Sequence, residues 1–269
     1  MKVFAYVVGA SENPDAVECM VPYKVNENII FFGPCKESLR EKLYEEYLKS
    51  SNNGEANVLD DIYVLGVNAS NSKRIRKIIW VGRIVKVLTF ERAYNILSSK
   101  KEFKKMMEEK YSPLHLEPIY KGGTFVGYKL RSKEHEGDNK WVRDVIKRKD
   151  YPNVKLEGKS FCLKDLSKRE EVFVRDCVFL CENVFFAEGK GIDIDEDILS
   201  IFKKAQPERE GVSNYAIFGL NSDGRANGLR GNYLTIDDRN LASALIEKIT
   251  KTRSTFSHGK GIQRRGKCR

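Results

Sequence analysis

The chain has 269 residues, 41% of them apolar and 10% aromatic, enough to bury a sizeable core and to exclude an intrinsically disordered polypeptide. No apolar run approaches the ~20 residues of a membrane-spanning helix, and the run Val3 to Gly9 behind Lys2 is short for a secretion signal. The net charge is +10, but Lys251 to Arg269 holds seven basic residues and no acidic one, so the rest of the chain carries only +3. These features predict a soluble cytoplasmic protein with reduced cysteines and no membrane contact, built as one domain over 1–250 with a flexible basic tail, 251–269.

In chain order, Lys2 to Val8 reads as a strand, broken at Asn13-Pro14-Asp15, and Asn28 to Gly33 as another, ended by Pro34. From Cys35 to Ser50 the spacing of Leu39, Leu43, Tyr47 and Leu48 predicts an amphipathic helix with Glu and Lys on its other faces. Two strands follow, Ile62 to Val67 and Lys77 to Leu88. In the second, Ile78, Trp80, Gly82 and Ile84 face one side while Ile79, Val81, Val85 and Val87 face the other, the pattern of a central strand. Thr89 is placed to cap a helix from Phe90 to Ser99, with Arg92 where a capping box has Glu or Gln. A charged segment comes next, and Tyr111 to Tyr120 contains too much proline for a helix.

Thr124 to Leu130 alternates as a strand behind a Gly122-Gly123 turn, and Asn139 to Lys149 reads as a short helix carrying Trp141, Val142, Val145 and Ile146. Glu170 to Gly189 is strand material with a break at Glu182-Asn183. Asp193 to Ala205 is a helix whose opening acids suit its positive end, and 237–250 is a helix capped at Asp237 or Asp238. No internal repeat is visible. Strands with a few short helices, not alternating βαβ units, predict an α+β fold with a mixed, mostly antiparallel sheet.

The sequence lacks a phosphate-binding G-x-x-x-x-G-K-[ST] loop, a G-x-G-x-x-G fingerprint, H-E-x-x-H and paired C-x-x-C, so no cofactor is expected. His135, beside Glu134, Glu136 and Asp138, fits a solvated loop better than a metal site, and His115 between two leucines fits a structural role. Asp150 with Glu157-Gly158-Lys159 loosely resembles the D…E-x-K metal site of restriction-type nucleases, in which two carboxylates hold a divalent ion and a lysine assists water. This supports the alternative of a metal-dependent nucleic-acid-processing enzyme. The acids from Asp193 to Asp197 read as a helix start, and the glycines and arginines from Leu220 to Asn232 as a surface turn.

"DDIYVLGVNASNSKRIRKIIWVGRIVKVLTFERAYNIL", Asp60 to Leu97, resembles the nucleotide-modification-associated domain family, relatives of the EVE, ASCH and PUA-like β-barrel domains. "VFLCENVFFAEGKGIDIDEDI", Val178 to Ile198, is similar to their later strand–turn–strand, and the resemblance runs in order over Met1 to Ile201. It implies a partly open barrel with flanking helices that binds nucleic acid, including a modified nucleotide, within modification or defence systems. The ASCH signature Gly-x-Lys-x-x-Glu-x-Arg is absent, so the resemblance brings no catalytic residue and the favoured expectation is a non-catalytic reader. Its partner would be DNA or RNA. The expected contacts are Asn68, Ser70 and Asn71 toward base edges and Arg74 and Arg76 toward phosphate. Tyr63, Trp80 and Trp141 are the aromatic side chains on which an extruded base would stack, although the two-sided apolar pattern around Trp80 equally suits a core residue.

Overall fold

The computed structural model describes residues 1–8, 22–33, 36–68, 77–108, 114, 116–131, 153–168, 177–205 and 233–256. The strands are β1 (Lys2–Val7), β2 (Tyr23–Lys24), β3 (Ile29–Phe32), β4 (Glu55–Asn57), β5 (Ile62–Val67), β6 (Lys77–Thr89), β7 (Leu116–Lys121), β8 (Thr124–Leu130), β9 (Val154–Glu157), β10 (Ser160–Leu163), β11 (Cys177–Phe186), β12 (Ile192–Asp193) and β13 (Tyr233–Ile236). The helices are α1 (Glu37–Leu43), α2 (Phe90–Leu97), α3 (Lys101–Glu108), α4 (Glu196–Ala205) and α5 (Arg239–Phe256). The fold is α+β with mixed sheets, and no closed barrel is found among the described residues. Nor is any described helix long and apolar enough to cross a membrane.

The chain divides into two compact units, one of Met1–Cys19, Leu59–Ile84 and Glu182–Arg269, the other of Met20–Val58 and Val85–Cys181. In the first, β1 lies between β13, antiparallel to it, and β5, parallel to it, and β6 returns antiparallel along β5. All six β5 residues are buried, as two-sided apolar strands should be. Gly66 lies opposite Trp80, and this pairing sets the local packing. Trp80 is fully buried, and its indole nitrogen donates to the Tyr6 hydroxyl at 3.0 Å.

The helices of this unit start where their acids are. Asp195 caps α4, its Oδ1 accepting from the Ile198 amide at 2.9 Å, and Asp238 caps α5 through the amides of Asn240 and Leu241. The α5 helix continues past Lys251 to Phe256. Arg253 in its last described turns donates to the carbonyls of Asn183 and Val184 at 3.3 and 2.6 Å.

In the second unit, β3 neighbours β11 and pairs with β2, while β4 pairs with the Lys86–Leu88 stretch of β6. A separate antiparallel sheet has the order β7-β8-β10-β9. Its inner face joins one apolar cluster with Phe31, Phe90, Leu97 and Phe103, built around Tyr128 and Phe161. Pro118 sits in β7, an edge strand, where a missing amide donor is tolerated. Thr89 caps α2, accepting from the Arg92 amide at 3.2 Å as the sequence predicts, and the Tyr128 hydroxyl accepts from the Glu91 amide at 3.0 Å.

The predicted helix from Cys35 to Ser50 is not uniform. After α1 the residues Tyr44–Leu48 form a π turn, in which the Lys49 amide bonds the Tyr44 carbonyl five residues back at 2.8 Å. The wider turn shifts the buried stripe, so Leu39, Arg40, Leu43, Tyr44 and Leu48 are inside and Tyr47 is only half-buried. Fully buried Arg40 donates from Nη1 to the Cys177 carbonyl at 3.2 Å, and the Cys177 thiol donates to the Arg40 carbonyl at 2.9 Å. This reciprocal pair fastens α1 to β11.

Glu55 joins three elements of the same unit: it accepts from Arg92 Nε at 2.7 Å and from Lys86 Nζ at 3.2 Å. The Arg92 hydrogen bond is the largest influence on its carboxyl, and together with Lys86 it overcomes the opposing effect of burial to hold the pKa below the ordinary value. A depressed folded pKa stabilises above the unfolded value and loses that contribution as pH falls through the folded one. Acid titration of the melting curve from about pH 5 downward should therefore show a loss of stability, beginning near pH ~4.3, that is smaller in Glu55→Gln. Identical pH profiles for the two proteins would remove Glu55 from the account of acid stability.

Candidate nucleic-acid interface

The segment from Ala69 to Arg76 joins β5 to β6, and the residues on either side of it are bonded to each other twice. The Asn68 amide donates to the Lys77 carbonyl at 3.0 Å, and Asn68 Oδ1 accepts from the Lys77 amide at 2.7 Å. Asn68 is buried, 5% exposed. Its side-chain oxygen is thus committed to closing the neck of the connection, so the expectation that Asn68 offers this group to a base edge gives way to an anchoring role. Ser70, Asn71, Arg74 and Arg76 lie outside the described residues, as does Trp141.

Trp80 and Tyr63 are where a base could not reach them. Trp80 has no exposed surface and packs edge-on to Tyr6, with ring centroids 6.0 Å apart. Tyr63 retains 8% exposure and lies opposite Arg83 in the β5–β6 pairing. Burial pushes the Tyr63 hydroxyl pKa up, the Asp61 carboxylate adds to the shift, and Arg83 opposes it. Arg83 is itself held by Glu182, whose carboxylate it meets at 2.7 Å. Of the alternatives left open for Trp80, the core reading describes what is found, and Tyr63 joins it.

The positive charge of the first unit is locally balanced at several positions. Lys2 meets Asp237 at 3.0 Å, Lys77 meets Asp193 at 3.4 Å, and Lys248 meets Asp195 and Asp197 at 2.8 and 2.6 Å. Burial tends to raise the Asp195 pKa, but Lys248 and the Ile198 amide together hold it below the ordinary value. Between the neck residues, by contrast, the sequence places Lys73, Arg74 and Arg76 with no acid among residues 69–76. Of the two flanking residues Lys77 is paired with Asp193 and Asn68 carries no charge, whereas every charged residue in the connecting sequence is basic.

Of the residues of the alternative, enzymatic reading, Glu157 and Lys159 are described. Glu157 and Lys159 flank the β9–β10 turn, where Gly158 has a φ of 60°. The Glu157 carboxylate is exposed and meets Lys155 at 2.6 Å, and that hydrogen bond lowers its pKa. Asp150 and His135 lie outside the described residues. Among the described residues no group of three or more His, Cys, Asp or Glu side chains is arranged to hold a metal ion.

One surface element passes unnoticed in the sequence. The β7–β8 hairpin exposes five consecutive residues, Tyr120 to Thr124. The Tyr120 hydroxyl donates to Glu91 Oε1 at 3.1 Å and accepts from Asn95 Nδ2, and its ring packs edge-on to Phe125 with centroids 6.1 Å apart. Tyr120 still exposes 42% of its surface. The Gly-Gly turn was the available signal, since a hairpin tip leaves the adjoining aromatic at the surface. Compared with protein-family models, curated proteins and solved structures, the chain matches none.

Proposed function

We propose that the chain binds nucleic acid through the cationic β5–β6 connection, with Arg74 and Arg76 contacting phosphate and the basic residues beyond Phe256 adding affinity. The observation that supports the reading is the doubly bonded Asn68–Lys77 neck, with Lys77 paired to Asp193, at the ends of a connecting sequence whose charged residues are all basic. A polyanion gains most from such a segment, because each phosphate contact releases condensed counterions. Ser70 and Asn71 supply hydrogen-bonding groups toward base edges in the same segment. The finer form of the proposal is a partly open, PUA/EVE-like barrel that recognises a modified nucleotide, and it rests on the resemblance over Asp60 to Leu97.

The test is a salt titration of binding to DNA and RNA, with and without modified bases. Reversing both arginines, Arg74→Glu with Arg76→Glu, should lower the magnitude of the log–log salt slope by about 1.5 or more. The melting temperature should be unchanged, since neither residue is part of the neck. Absence of salt-dependent binding by the unaltered chain to every polymer tried would sink the proposal.

A further inference from the structure

We propose that a second copy of this chain docks on the outer edge of β9, the two β9 strands pairing antiparallel about a twofold axis through Leu156. Among the described residues β9 ends the order β7-β8-β10-β9 and pairs with β10 alone. The direction of its backbone groups follows from the register. The Asn153 carbonyl accepts from the Lys164 amide at 2.8 Å, one step beyond the Val154–Leu163 pair. Hydrogen-bonded pairs alternate along an antiparallel ladder, so Lys155 and Glu157 also turn their amides and carbonyls toward β10. Val154 and Leu156 turn theirs outward, two donors and two acceptors on an edge that has neither proline nor bulge. The opposite edge of the same sheet, β7, is blunted by Pro118 and by a register shift between Ile119 and Tyr120.

Charge selects both the occupant and the register. Lys155 and Glu157 share the solvent face of β9, where both side chains are exposed and meet each other at 2.6 Å. With Leu156 opposite Leu156 of the second copy, each Lys155 stands opposite a Glu157, twice over by symmetry. The four charges then alternate in sign around the axis. An axis through Lys155 would instead set two ammonium groups against each other. On the other face Val154 and Leu156 are half-buried, packed against the apolar cluster of Tyr128 and Phe161, and the axis brings the two Leu156 side chains together. Both faces of this short strand thus complement themselves, the outer by charge and the inner by apolar contact, as a symmetric pair requires. The turn at Gly158 leaves the approach open, since a Cβ there would meet nothing within 4 Å.

The test is sedimentation of the full chain, freed of nucleic acid, over about 1 to 300 μM, in which the dimer fraction should rise with concentration. Lys155→Glu should weaken self-association on the order of 10-fold or more, because the new carboxylate faces Glu157 of the second copy. Glu157→Lys should do the same by opposing two lysines. Mixing the two variants restores opposite charge in every pair, so the mixture should form a heterodimer about as tight as the unaltered dimer. Neither side chain is packed in the core, and melting curves check that both variants fold. The inference is overturned if the unaltered chain stays monomeric throughout, as it would with another segment or a different partner on β9. It is equally overturned if either variant dimerises as the unaltered chain does, or if the mixed variants fail to associate.

Discussion

Replacing Gly66 with alanine is expected to destabilise the first unit by about 3 kcal/mol. A Cβ at this position would lie 2.1 Å from Trp80 Nε1, 2.3 Å from Trp80 Cδ1 and 2.7 Å from a methyl of Val8, all well inside contact distance. The indole cannot swing aside without cost, because it is fully buried and its N–H is engaged by Tyr6. The glycine is therefore required by its cross-strand partner and not by backbone conformation. Urea melts of a double-mutant cycle check this: in a Trp80→Leu background the added methyl should cost less than about 1 kcal/mol. Strict additivity of the two substitutions would show that the indole is not what the methyl strikes.

Arg40→Ala should destabilise the second unit by about 3 kcal/mol, by opening a cavity beneath α1 and taking a donor from the Cys177 carbonyl. Arg40→Met should cost less than half as much, since an unbranched apolar chain refills most of the volume and no cation has to be kept out of water. Thermal denaturation of the two variants separates volume from hydrogen bonding. If methionine is as costly as alanine, the guanidinium contacts and not the packed stem hold α1 in place.

The sequence reveals those parts of the fold in which local chemistry and tertiary packing agree. The two-sided apolar pattern of β5 and β6, the Thr89 cap of α2 and the acids opening α4 all reappear as predicted, because each depends on residues within a few positions. The burial of Arg40 has a tertiary cause: on α1 beside Leu39 and Leu43, its guanidinium goes inside to the Cys177 carbonyl, a partner 137 residues away in the chain. The predicted break at Glu182-Asn183 is absent, and β11 runs without interruption from Cys177 to Phe186. A polar pair there looks like a loop until Arg83 is seen across from Glu182, turning the apparent interruption into an interstrand ion pair. Segment 101–108, read only as charged, becomes helix α3 because Phe103 and Met107, one turn apart, both reach the core.

At the candidate interface the sequence identifies the cationic segment but not what its neighbours do. Asn68 and Arg74 look alike as hydrogen-bonding groups in a loop, yet Asn68 is spoken for by Lys77. Likewise the pattern around Trp80 allows either a core or a stacking role, and only the depth of the strand decides between them. The helix read over Asn139 to Lys149 and the turn over Leu220 to Asn232 lie outside the described residues.

The neck at Asn68 and Lys77 also bears on how this chain can change over generations. Both of its hydrogen bonds belong to the flanking residues, so these bonds between the ends of β5 and β6 do not depend on which side chains stand between them. Selection can then exchange the segment as a cassette, retuning what the protein engages while the sheet beneath is inherited intact.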